Sequence, residues 1–484
     1  WVDTEEAGTE NWAGRNSPWG MALVTWFGDG NGFFYQDVSV TGGVGYTFSI
    51  WALRDPGTPG GAYYLEIEWY QGATFLGVAS QTIAPSPDQW TRHHLSATAP
   101  AGATAARVFV GGENFTLVAK FDDAVFTLAA PAGLTATGAD KRVDLTWNGQ
   151  PPLDGYHVYR APGSTDDFVR LTASPHRASV YSDFVGSNGA TNHYAITAVL
   201  GAEESDPSME VSAATAAMTD DELLTSVQRA LFRYFWDYGH PVSGLIREGY
   251  GFGHPPDTCA TGGTGFGLMA LCVGAERGFV TRAAAAERVL QILTFLDEEA
   301  TRYHGAWPHW IHGATGATLP FSEQDDGGDL IETAFLVQGL LAARQYFDST
   351  ASPVETEIRS RATAMWQGVD WYWYLRRTDP GWEQNGMLFW HWSPNYGWAR
   401  NQPICGYHEG MITYLLAVAS PTHPIPPASY YSGWTASGDA YYANGAFFYG
   451  YLQRVGPDLG GPMFFTHYSH LGFDPRDKND RYAD

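Results

Sequence analysis

The sequence predicts a multidomain protein: two all-β sandwiches followed by an all-α domain of the (α/α)6-toroid type, incomplete within these 484 residues. Three observations carry this. Up to about residue 216, apolar runs with β-branched and aromatic residues alternate with Gly, Pro and Asp breaks. From Met218 onward the apolar period changes from two to 3.6. The helical segments then alternate between one apolar stripe and apolar character on nearly every side.

The strands come first. "FFYQDVSV", "YTFSIWAL", "AYYLEIEWY" and "ARVFVGG" are punctuated by turn residues, and "FDDAVFTLAAPAG" closes the block. Residues 1–128 are therefore expected to form a jelly-roll β-sandwich. This block resembles the carbohydrate-binding modules of polysaccharide-degrading enzymes, with the first strand partly missing. That resemblance implies sugar binding, and Asp122 and Asp123 as holders of a structural calcium ion; solvated turn acids are the alternative. "PAGLTATGADKRVDLTWNG", "DGYHVYRAPG" and "NHYAITAVLGAEESDPSMEVSAAT" make a second β unit over residues 129–216. It resembles a fibronectin type III domain, with Trp147 and Tyr194 at that family's core Trp and Tyr positions. A spacer role follows from the resemblance.

Residues 217–484 are the expected helical domain. "TDDELLTSVQRALFRYFWDYG" places Leu223, Val227, Leu231, Tyr234, Phe235 and Tyr238 on one stripe. "TGGTGFGLMALCVGAERG" is apolar nearly all round. Its glycines lack the Lys-Ser/Thr ending of a phosphate loop and read as close helix approach. "TRAAAAERVLQILTFLDEEA" returns to one stripe through Val289, Ile292, Leu293 and Leu296. Asp329 to Phe347 is apolar on most sides, a mixed helix follows over 354–377, and "GMITYLLAVA" is apolar again. Outer and inner helices in alternation build a toroid of antiparallel hairpins, whose inner helices run parallel and open their N-termini on one rim.

The acids sit at those openings. Asp325, Asp326 and Asp329 precede one inner helix, and Glu409 precedes the next about 80 residues later. Two carboxyl groups flanking a cleft are the minimal equipment for glycosidic hydrolysis, one donating a proton and the other activating water or attacking. Burial and a neighbouring carboxylate are the means of raising the donor's pKa. "DLIE" is also a capping box, with Asp329 at the N-cap and Glu332 at N3, so both residues carry a structural reading beside the chemical one. "GAWPHWIHG" and "MLFWHWSPNYGWARNQ" are aromatic loops leading into inner helices, suited to stacking on sugar faces or to packing the loop itself. The histidines of the first, His309 and His312, form a lone His-x-x-His and read as core or hydrogen-bonding groups.

Bulk properties narrow the partners. With 27 basic against 52 acidic residues the net charge is −25, which disfavours nucleic acid, anionic lipid and strongly anionic polysaccharides. No run of about 20 apolar residues reads as a membrane span. Cys259, Cys272 and Cys405 lack metal or disulfide spacing and read as buried free thiols. Without an initial Met or a visible signal peptide, the chain is expected to be a mature or trimmed product.

"DDGGDLIETAFLVQGLL", "MLFWHWSPNYGW", "ICGYHEGMITYLLAVASPTHPI" and "MFFTHYSHLGFDPRDKNDRYAD", in this order, resemble the glycoamylase-like domain of glycoside hydrolase family 144. The resemblance implies an endo-β-1,2-glucanase on an (α/α)6 toroid, acting with inversion, with Asp325, Asp329 and Glu409 as the essential acids. Glu409 is expected as general acid and Asp325 or Asp329 as base. Trp307, Trp310, Glu332, Trp390, Trp392, Tyr396, Arg400, Tyr407 and His408 are the expected substrate contacts, His408 standing where the family commonly has Asn. The chain stops at "DRYAD", where the family continues, so half a toroid is expected. A glucan-binding protein without catalysis is the alternative, and a uronate lyase, which needs cations such as Arg400 in the cleft, ranks last. The expected protein is an extracellular or periplasmic monomer with a polysaccharide substrate and no cofactor beyond the calcium reading.

Overall fold

The structure is a computed structural model that describes residues 1–478 except 5, 58–60, 150–151, 164–166, 250–252, 382–385 and 437–441, with the backbone alone at 26–29. All of "DRYAD" (480–484), with Asn479 before it, lies outside the described residues. The chain divides into two units, Trp1–Leu223 and Leu224–Asp484.

In the first unit, strands β1 (Val2–Asp3), β2 (Ala7–Glu10), β3 (Gly20–Ser39), β4 (Gly45–Arg54), β5 (Ala62–Gln71), β6 (Thr74–Ile83), β7 (Thr91–Thr98) and β8 (Ala105–Leu128) form one eight-stranded sheet. Strand β8 follows β3 along its length but changes its other neighbour midway. Residues 105–113 pair with β5, and residues 119–128 pair with β4. Register shifts in β3 between Thr25 and Gly32, and positive φ at Asn114 and Leu117, mark the bend. The layers expected of a sandwich are thus joined through two long strands around one core containing Phe34, Phe48, Leu65, Val110 and Phe121. On β5, Tyr63, Leu65, Ile67 and Trp69 point inward in strict alternation, as a half-buried strand requires.

The same unit holds two smaller sheets. Strands β9 (Thr135–Ala139), β10 (Arg142–Thr146) and β13 (Val180–Phe184) form one; β11 (Gly155–Pro162), β12 (Val169–Arg170), β14 (Thr191–Leu200), β15 (Glu203–Glu204) and β16 (Val211–Ala214) form the other. Trp147 and Tyr194 are buried in the core these sheets share. The Tyr194 hydroxyl donates to Asp183 at 2.9 Å, which satisfies its one polar atom inside.

The second unit is helical: α1 (Asp220–Asp237, starting at the end of the first unit), α2 (Thr261–Glu276), α3 (Arg282–Glu298), α4 (Leu330–Tyr346), α5 (Pro353–Gln367), α6 (Met411–Ala419) and a short α7 (Phe464–His467). Helices α2 and α4 lie side by side in the same direction, Gly262 meeting Glu332 and Gly265 meeting Phe335. A Cβ on Gly265 would come 2.1 Å from the Phe335 carbonyl oxygen, and one on Gly339 2.2 Å from that of Gly265. The glycines therefore serve backbone contact between helices, as expected. Helix α1 runs the other way along α2, with Phe232 on Gly274 and Phe235 near Gly267.

Two expectations need correction. On α1 the expected stripe holds only at its C-terminal end: Tyr234 and Phe235 are half-buried and Tyr238 is buried just past the helix, while Leu223, Val227 and Leu231 are exposed. Phe232, outside the expected stripe, is the buried residue of the helix, stacked on Trp236 and packed against Phe279. The helix expected over 354–377 ends at Gln367 with Gly368 as C-cap, and the chain then turns inward to bury Val369, Trp371, Tyr374 and Leu375. On α3 the expected stripe Val289, Ile292, Leu293 and Leu296 is buried. Among the described residues no helix is long and apolar enough to cross a membrane.

Short strands fix the loops in front of α2 and α4. Strands β17 (Thr258–Ala260), β18 (Trp310–His312) and β19 (Thr318–Leu319) form a small sheet at the start of α2. Strands β20 (Gly328–Asp329) and β21 (His391–Trp392) pair at the start of α4, setting Asp329 opposite His391.

Candidate active site

The mouth of α4 is built by close backbone approach. A Cβ on Gly327 would meet the Trp392 carbonyl oxygen at 2.2 Å, and one on Gly328 the Tyr374 hydroxyl at 2.1 Å. Only a Gly-Gly pair lets the chain enter here and deliver Asp329 as N-cap. The Asp329 side chain is fully buried and both oxygens are used. One accepts the Glu332 backbone N–H at 3.0 Å, and the other accepts Nδ1–H of His309 at 3.0 Å. Burial favours the neutral acid, but the His309 hydrogen bond, the His391 and His309 charges and the Glu332 N–H outweigh it, holding Asp329 below the usual carboxylate range. Burial likewise works against the His309 cation, yet Asp329, Glu332 and Asp325 push its pKa up to about 9. At neutral pH the two form an ion pair.

Glu332 departs from the capping box. Its backbone N–H takes the Asp329 cap, but its carboxylate does not return to the N-cap; the Asp329 N–H donates to the Trp307 carbonyl instead. Glu332 Oε2 accepts the Gly262 N–H of α2 at 2.7 Å. Burial, chiefly, pushes its pKa up to about 7. His309 and the Gly262 N–H oppose that shift, and the negative charges of Asp329 and Glu248 reinforce it.

Asp325 is buried upstream of the Gly-Gly pair, and its Oδ1 stands 3.1 Å from His391 Nδ1. The two atoms are not aligned for a hydrogen bond, and neither makes one elsewhere among the described residues; His391 Nδ1 also stands 3.8 Å from Asp329 Oδ2. Asp326 turns aside, accepting from the Asn395 side chain at 2.6 Å and tying its loop to the aromatic loop.

Glu409 lies in the turn before α6. Gly410, the N-cap, packs on α4: a Cβ there would stand 2.9 Å from Ile331 Cδ1. The openings of α4 and α6 thus abut. The Tyr468 phenol lies where their fields meet, raised by burial and then by Glu332, Glu409 and Glu248. Glu409 Oε2 has no hydrogen bond among the described residues. His408 Nδ1, 3.5 Å away, is occupied in accepting the Gly410 N–H at 3.1 Å. The His408 ring stacks on Trp390 (centroids 5.7 Å apart) and meets Trp434 edge-on.

The expected substrate contacts divide. Trp307 is withdrawn: it is fully buried, with Nε1 donating to the Leu296 carbonyl, so no sugar can reach its face. Trp310, Trp390, Trp392, Tyr407 and His408 are half-buried, and Tyr396 and Arg400 are exposed. Trp310 packs near Phe321 at 4.8 Å, Trp392 meets His304 edge-on, and the Tyr396 hydroxyl donates to Glu323 at 3.3 Å. Expectation missed His391, Glu248 and Tyr468 as neighbours of the acids, and His309 as the partner that ionises Asp329. The His-x-x-His pattern flagged His309 only as a hydrogen-bonding group. His391 gave no signal, because a two-residue strand has no alternation.

His309, Asp325 and Asp329 offer three ligand atoms within 4.8 Å of one another, a spacing a cation could use, although His309 and Asp329 already bond each other. In the first unit, Asp122 accepts the Arg15 backbone N–H at 2.7 Å, and Asp123 accepts from the Arg15 guanidinium at 2.7 Å and from Asn16 at 2.9 Å. Protein donors thus already meet the oxygens read as calcium ligands.

The family model Glycoamylase matches residues 401–484. The chain is 41% identical over 381 residues to an exo β-1,2-glucooligosaccharide sophorohydrolase (non-reducing end) of Parabacteroides distasonis, covering 74% of this chain and 51% of that protein. It thus spans about half the length of that curated relative. The crystal structure of a β-1,2-glucanase from Parabacteroides distasonis superposes with a TM-score of 0.67 at 32% identity, covering 100% of this chain and 76% of the other. An endo-β-1,2-glucanase from Chitinophaga pinensis, in complex with sophorotriose and glucose, matches with a TM-score of 0.51 at 43% identity over 55% of this chain and 63% of the other.

Proposed function

Because the chain belongs to the glycoamylase-like family of β-1,2-glucanases, we propose that it hydrolyses β-1,2-glucan by carboxylate acid–base catalysis with inversion. The observation that carries this reading is a pair of opposite shifts at one helix mouth that abuts another carrying an acid. At the start of α4, Asp329 is held ionised and Glu332 is held protonatable up to about pH 7, while Glu409 precedes α6, whose N-cap Gly410 packs on Ile331 of α4.

Glu409 is the proposed general acid, since nothing among the described residues occupies its Oε2. Asp325 is preferred to Asp329 as base. Both Asp329 oxygens are committed, whereas Asp325 Oδ1, 3.1 Å from His391 Nδ1, has no hydrogen bond among the described residues and can accept a proton from water or a substrate hydroxyl. Glu332 is the second candidate donor, favoured by its raised pKa. Trp310, Trp390, Trp392, Tyr396, Arg400, Tyr407 and His408 are the proposed contacts to the glucan. Helices α1–α6 we take as an arc of an (α/α)6 toroid. Residues 1–128 act as a sugar-binding module, residues 129–216 as a spacer and residues 217–484 as the catalytic region. A polymeric substrate suits an extracellular or periplasmic monomer.

Incubation of the full-length protein with linear β-1,2-glucan tests the reading. New reducing ends, lost in Asp325→Asn and Glu409→Gln while both variants stay folded, support it. A mobility shift without products supports a glucan-binding protein instead.

A further inference from the structure

We propose that Ser469 is a positioning residue for Glu409, capping α6 from the distant C-terminal segment and so fixing the backbone from which that carboxylate projects. The inference rests on Glu409 being catalytic.

The first N–H groups of any helix need acceptors from outside it, and a side chain at the N-cap normally supplies one. Helix α6 has no such side chain, because its N-cap is Gly410. A larger residue would not fit: a Cβ at 410 would stand 2.8 Å from His408 Cε1, 2.9 Å from Ile331 Cδ1 and 3.1 Å from Ile404 Cγ2. The abutment of α6 on α4 therefore removes α6's own cap. Ser469, 57 residues beyond Ile412, supplies it. Its buried hydroxyl accepts the Ile412 N–H at 3.1 Å and donates to the Glu409 carbonyl at 2.6 Å. One oxygen thus bridges the residue that carries the acid and the second position of the helix, spanning the Glu409–Gly410 linkage.

The brace is itself anchored. The carbonyl of neighbouring Tyr468 accepts from Gln338 of α4 at 3.1 Å, and its ring packs on Phe266 of α2 (4.6 Å) and Phe335 of α4 (5.4 Å). Residues 468–469 therefore tie α2, α4 and α6 together. Glu409 Oε2 has no hydrogen bond among the described residues, so its aim depends on the backbone more than on side-chain partners.

The test is a double-mutant cycle in the full-length protein on linear β-1,2-glucan, with Ser469→Ala, Glu409→Gln and both together. Ser469→Ala is expected to lower kcat by about 10–100-fold, as a misplaced acid does, with KM nearly unchanged. In the Glu409→Gln background the same change should cost nothing further. If Ser469→Ala does not fold, Ser469→Cys replaces it, keeping the size with a weaker hydrogen-bonding group, and should show the same kcat loss. An equal loss in both backgrounds, or a wild-type kcat for the Ser469 variant, overturns the proposal. Glu409→Gln with full activity instead overturns the functional reading beneath it.

Discussion

The mouths of α4 and α6 touch, yet they hold their acids in opposite ways. At α4 the cap is the residue's own: Asp329 is buried, both oxygens are bonded, and the His309 ion pair fixes its charge. At α6 the cap is a glycine, the helix borrows Ser469, and Glu409 Oε2 has no hydrogen bond among the described residues. The difference separates two tasks. A group that sets the field of a site gains from being fully bonded, because it need not reorganise. A group that exchanges protons must keep an oxygen free, so its aim has to come from the backbone.

The contrast breaks most visibly at Asp329. Asp329→Asn should abolish measurable hydrolysis and also lower stability by about 3 kcal/mol, since it leaves the half-buried His309 without its fully buried counter-charge. Urea unfolding together with turnover checks both losses. Stability that survives the change would place the His309 pair outside the frame of the site.

Gly262→Ala comes next. A Cβ there would lie 2.6 Å from Glu332 Oε2 and displace it from the Gly262 N–H. That N–H lowers the Glu332 pKa, so its loss should move any alkaline limb of the pH–rate profile near pH 7 upward, with kcat falling about 10-fold. An unmoved limb would mean that Glu332 does not titrate in turnover.

Stability against pH sharpens the same comparison. His309 has a folded pKa raised to about 9 from an ordinary 6.5, so its contribution is complete below pH 6.5 and is lost as pH rises through about 9. Asp329, lowered from 3.8, contributes above that value and loses its contribution as pH falls through the lower folded value. Thermal midpoints should therefore decline between pH 6.5 and 9 in the parent protein, and that decline should be smaller in Asp329→Asn.

Much of this arrangement was legible in the sequence, and the exceptions have physical causes. The change of period at Met218, the "TGGTGFG" helix contact and the acids before two inner helices follow from local pattern. Glu332 was harder. Its capping box is complete in sequence, but an N–H from 70 residues upstream takes the carboxylate. Trp307 and Trp310 stand three apart in one loop, and only the paths of the short strands decide that the first is core and the second half-buried. The Ser469 cap has no local pattern at all, since its partners lie about 60 residues away. The smallest expected effect on turnover follows: Trp307→Leu should destabilise by about 3 kcal/mol with KM unchanged, whereas Trp310→Ala should raise KM with little loss of stability.

The central claim is that Glu409 does chemistry while its neighbours hold the frame. The turnover of Glu409→Gln on linear β-1,2-glucan, read beside its thermal midpoint, tests this most directly. The expected result is a loss of about 10³-fold in kcat with the midpoint unmoved. Wild-type turnover, or a midpoint that falls as far as that of Asp329→Asn, would contradict it.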